Sequence, residues 1–99
     1  MARFLREQGF TEVFRLAPGG PADPGDIGGL PDWAIECRDR QKQDLSKNVR
    51  AANSRAVVKG ARWGCAIQKK REHPVEDGYV VMDLATFASV LNELAATSD

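Results

Sequence analysis

Apolar and polar positions change period several times along the chain. Residues 2–8 place Phe4 and Leu5 in a short helix that Gly9 is positioned to end. Phe10–Leu16 reads as a strand, with Phe10, Val13, Phe14 and Leu16 as its apolar contacts. The next stretch, APGGPADPGDIGGLPD over residues 17–32, holds most of the glycine and proline. It cannot be a regular helix, and it reads as turns and a shaped loop with a short strand at Asp26–Gly28. Asp32–Arg38 alternates cleanly: Trp33, Ile35 and Cys37 face one way, Ala34, Glu36 and Arg38 the other.

The period then becomes helical. Leu45, Val49, Ala52 and Ala56 recur as one stripe, with Asp44 or Ser46 as cap and Gly60 as stop. Lys47, Arg50, Arg55 and Lys59 lie off that stripe and are expected to face solvent. Arg62–Lys70 returns to strand alternation, residues 71–78 form a turn, and Tyr79–Met82 is a further strand. Asp83 then caps a last helix with Phe87, Val90, Leu91 and Leu94 as its apolar stripe. The pattern predicts one small α/β (α+β) domain over residues 1–99. Its order is α-β-β-β-α-β-β-α, with a central mixed sheet flanked by helices.

Composition adds little until it is divided. The 99 residues carry 14 Lys and Arg against 14 Asp and Glu, so the net charge is zero. Residues 38–72, however, carry a net charge of +8, between segments of −3 and −5. A local basic surface binds polyanions whatever the total. The N-terminus has no apolar run of signal-peptide length, and no stretch is long enough to span a membrane. A cytoplasmic protein without a membrane partner is expected. Two cysteines and one histidine are too few for a zinc site, and Cys37 and Cys65 are expected to be buried free thiols. Trp33 and Trp63 read as core residues, and His73, before a proline in a turn, reads as a surface residue.

The chemistry concentrates in DWAIECR. Burying Glu36 in an apolar strand is costly unless the carboxylate is paired or binds a cation. Arg38 shares its face. Asp26 precedes it by ten residues, in a short strand that can lie alongside. Asp26 and Glu36 could therefore hold one divalent cation, with hard oxygen ligands suited to Mg²⁺ or Mn²⁺. Such a metal would activate water for attack on a phosphodiester. The alternative is a Glu36–Arg38 ion pair, with Asp26 capping a turn.

The run GDIGGLPDWAIECRDRQKQDL, the basic helix after it, a strand ending in QKKR, and GYVVMDLATFASVL together resemble the PD-(D/E)XK nuclease superfamily. Within it they are most similar to the small, phage-type Holliday junction resolvases. The resemblance implies a restriction-endonuclease-like fold, a Mg²⁺- or Mn²⁺-dependent endonuclease, branched DNA as substrate and a homodimer. It also implies Asp26, Glu36 and Arg38 as catalytic residues, with Asp26, Glu36 and the Cys37 carbonyl as metal ligands. Arg38 stands where the motif has lysine. A guanidinium stays protonated, so it can steady charge but not act as a base. Arg15, Lys42, Lys47, Arg50, Lys69, Lys70 and Arg71 are the expected DNA-binding cations. Two further readings are a DNA-binding module of the same fold with weakened chemistry, and a protein-interaction domain.

Overall fold

The computed structural model describes residues 1–15, 27–38 and 44–97. Along them run helix α1 (Ala2–Glu7) and strands β1 (Phe14–Arg15), β2 (Ile27–Gly28) and β3 (Trp33–Arg38). Helix α2 (Leu45–Lys59), strand β4 (Trp63–Gln68), a 3-10 turn (Val75–Asp77), strand β5 (Tyr79–Val81) and helix α3 (Leu84–Thr97) follow. The strands form one mixed sheet in the order β1-β2-β3-β4-β5. Among the described strands only β3 and β4 run parallel, from Trp33 opposite Trp63 to Arg38 opposite Gln68. A parallel pair needs a long crossover, and α2 supplies it. The result is a small α+β domain with a five-stranded mixed sheet and three helices.

The strand period sorts the side chains. Ile35, Cys65 and Ile67 join Ala2, Val13 and Ile27 in the core, with Trp33 and Cys37 packed beside them. The opposite face of β3 and β4 carries Ala34, Glu36, Gly64 and Ala66 beneath α2, whose Ala52 and Ala56 are buried. These small residues let the helix lie close. A Cβ built on Gly64 would come within 2.5 Å of the Ala52 carbonyl oxygen.

The expected boundaries of α2 hold. The Asp44 carboxylate accepts from the Lys47 N–H at 3.0 Å, and Gly60 ends the helix in the left-handed region at φ 78°. At the head of α3, the Thr86 hydroxyl donates to the Asp83 carboxylate, which holds Asp83 below the usual carboxylate range.

Several expectations change. Of the strand expected over Phe10–Leu16, the described part begins only at Phe14, because the chain first turns, with the Val13 N–H bonded to the Phe10 carbonyl. Of its expected contacts only Val13 is buried; Phe10 and Phe14 are half-exposed, and Leu16 lies outside the described residues. The strand expected over Arg62–Lys70 ends at Gln68, which leaves Lys69 and Lys70 beyond it. Leu45 is 48% exposed, although Ala52 and Ala56 of the same stripe are buried. The α3 stripe is also uncovered: Phe87, Leu91 and Leu94 are exposed and only Val90 is partly covered. Helix α3 is instead attached by polar groups. The Trp63 Nε1–H donates to Ser89 Oγ at 2.9 Å, and Arg62 pairs with Glu93 at 2.8 Å. Arg62 also stacks on the Trp63 ring at 4.6 Å, and that ring meets Trp33 at 5.0 Å. Among the described residues no helix is long and apolar enough to cross a membrane.

Candidate active site

Among the described residues Glu36 is the buried charged one, 3% exposed at the fourth position of β3. Its burial is compensated from two elements. Arg38, two residues along the same strand face, donates from Nη2 to Glu36 Oε2 at 2.5 Å. Arg55, from α2, donates from Nε to Glu36 Oε1 at 3.0 Å. Each carboxylate oxygen therefore has its own guanidinium, which meets the cost of removing the charge from water. The Glu36–Arg38 ion pair weighed from the sequence is present.

Arg55 is a correction. It was expected to face solvent, yet it turns inward to the strand. It sits beside Ala52 and Ala56 on α2, and the small residues between helix and sheet bring it within reach of Glu36. The available signal was a buried strand carboxylate facing a helix whose apolar stripe has an arginine at its margin. Lys59, also expected to face solvent, donates from Nζ to the Trp33 carbonyl at 2.6 Å while remaining exposed.

Arg38 makes a second contact of consequence. Its Nη1 donates to the Cys37 carbonyl oxygen at 3.0 Å. One planar fork thus bridges the Glu36 carboxylate and the Cys37 carbonyl, two of the three metal ligands that the resemblance implies. Gln68 is Arg38's register partner on β4, so the two side chains leave the same sheet face. Gln68 Oε1 is buried and accepts no hydrogen bond among the described residues.

Asp26 lies outside the described residues, as does Lys42. Ile27, next to Asp26 in sequence, pairs with Ile35, next to Glu36. The pairing directions bring the end of β1, the start of β2 and the ends of β3 and β4 to one edge of the sheet. Arg15 ends β1 there and is exposed. Lys69, Lys70 and Arg71 follow β4 and are exposed, with the Lys69 N–H bonded to the Arg38 carbonyl at 3.0 Å. Lys47 and Arg50 stand exposed in the first turns of α2, where Arg50 donates to Ser46 Oγ at 2.7 Å. In α/β sheets, ligands bind beyond the carboxyl ends of parallel strands.

The donors at this edge are hard oxygens: the Glu36 carboxylate, the Cys37 carbonyl and the orphaned Gln68 carbonyl. Their chemistry fits Mg²⁺ or Mn²⁺ better than a soft metal. Among the described residues no three His, Cys, Asp or Glu side chains cluster, and Glu36 is the buried carboxylate that these residues place at this edge. Cys65 lies on the other sheet face. Burial, and secondarily the neighbouring Cys37, pushes its thiol up to about 12, so it is an inert core residue. Neither described cysteine forms a disulfide. No family model matches the chain, and no curated protein or solved structure matches it significantly.

Proposed function

We propose that this domain is a metal-dependent endonuclease with a restriction-endonuclease-like fold. It binds branched DNA, such as a four-way junction, and hydrolyses its phosphodiester bonds. The observation that carries this reading is Glu36, a carboxylate buried at the carboxyl end of the parallel pair and surrounded by cations. Glu36, the Cys37 carbonyl and Asp26 would hold the Mg²⁺ or Mn²⁺, which when bound polarises a phosphate and lowers the pKa of water. Arg38 steadies charge on the phosphate oxygens, because its fork matches them in geometry. Arg55 holds Glu36 in place from the helix side through its Oε1. Arg15, Lys42, Lys47, Arg50, Lys69, Lys70 and Arg71 contact flanking phosphates and set the position of the duplex. A homodimer would place two such sites on one branched substrate, and the free thiols suit the cytoplasm.

The test is cleavage of a labelled four-way junction and a matched linear duplex in Mg²⁺, Mn²⁺ or EDTA, beside Glu36→Gln. Metal-dependent cutting of the junction, lost in the variant, is expected. Equal cutting by the variant would show that Glu36 is not the site. A second reading, a DNA-binding module without efficient chemistry, is favoured by the Arg38 fork across the expected ligands. Junction binding that is insensitive to EDTA, with cutting restored by Arg38→Lys, would support it.

A further inference from the structure

Three features of the Arg38 side chain belong together. Its two terminal nitrogens are used separately, Nη2 on Glu36 Oε2 and Nη1 on the Cys37 carbonyl. The side chain is 20% exposed, so it borders solvent, whereas the carboxylate it holds is 4% exposed. Glu36 also has a second guanidinium, from Arg55, on its other oxygen. Release of Arg38 therefore leaves the buried carboxylate paired, not stranded.

We propose that Arg38 is an internal cation that closes the site. Its fork occupies Glu36 Oε2 and the Cys37 carbonyl, two of the three ligands that the endonuclease reading assigns to the ion, and it must swing toward solvent before these two acceptors are open. This inference rests on the endonuclease reading and deepens it. Lysine at this position presents a single ammonium and cannot bridge two acceptors as a planar fork does. Arginine here makes metal binding a competition, not a simple addition. Swinging out carries the guanidinium toward the edge where Lys69, Lys70 and Arg71 emerge, and there a DNA phosphate is its natural partner. A phosphate that captures Arg38 opens the metal ligands, so DNA and metal raise each other's affinity, as linkage requires. The chain thereby couples loading of its site to the presence of substrate.

The experiment is Mn²⁺ binding, followed by the electron paramagnetic resonance of the free ion, on the full chain without DNA. Arg38→Met removes the charge and keeps a long side chain. Its Mn²⁺ affinity is expected to rise about tenfold or more above that of the parent chain. The increase should disappear when Glu36→Gln is added. Arg38→Lys, which leaves charge at the position, should fall between the two and serves if Arg38→Met does not fold. Equal, Glu36-dependent affinity in the parent and Arg38 chains would overturn the competition while leaving the endonuclease reading intact. Absence of Glu36-dependent Mn²⁺ binding in every folded variant, as judged by circular dichroism, would overturn both.

Discussion

At the scale of single residues, the cost of burying charge organises the site. Glu36 stood out in the sequence because a carboxylate inside an apolar strand must be compensated, and Arg38 was found by strand period alone. Arg55 was not, because no local rule links residues nineteen positions apart on a strand and a helix; the contact exists only once α2 is laid across β3. Arg55→Met tests its share. Arg38 still holds Glu36 in that variant, and Arg55 is partly exposed, so the loss should be about 1–2 kcal/mol, below the ~3–5 kcal/mol of a broken, fully buried pair. Urea denaturation measures it. An unchanged midpoint would mean that Arg38 alone suffices for Glu36.

At the scale of elements, legibility followed the origin of each signal. The ends of α2 were readable because Asp44 and Gly60 act on the backbone beside them. The alternation of β3 was readable because period 2 is a property of one strand. The fate of the α3 stripe was not, because periodicity shows which side is apolar and not whether the chain supplies a surface for it. The attachment of α3 through Arg62 and Glu93 has a pH signature. The Arg62 hydrogen bond, and then its charge, holds the Glu93 carboxyl below its usual 4.5. A lowered folded value means that this attachment is fully present above about 4.5 and is lost as pH falls through the folded value. Amide hydrogen exchange, expressed as protection factors, should show α3 loosening relative to β3 and β4 on acidification. Arg62→Gln should remove that difference. Uniform loosening of all elements would contradict it.

At the scale of the molecule, zero net charge hides a divided surface. The basic middle segment spans α2 and the end of β4, and the sheet topology brings several of its cations to the edge beyond Glu36. This convergence could not be read from spacing, since it depends on β3 and β4 being parallel neighbours. Junction affinity should therefore fall steeply with salt. Changing Lys69, Lys70 or Arg71 to Gln removes one phosphate-binding cation, and each such change should flatten the log–log slope by about 0.9. An unchanged slope in the triple variant would remove that loop from the DNA interface. The distance between the two layers of the molecule is set elsewhere, at Gly64, where backbone and helix meet with no room for a methyl group. That glycine acts as a gauge. It fixes how far the guanidinium of α2 must reach, so a position with no functional group of its own calibrates the charge cluster on the neighbouring strand.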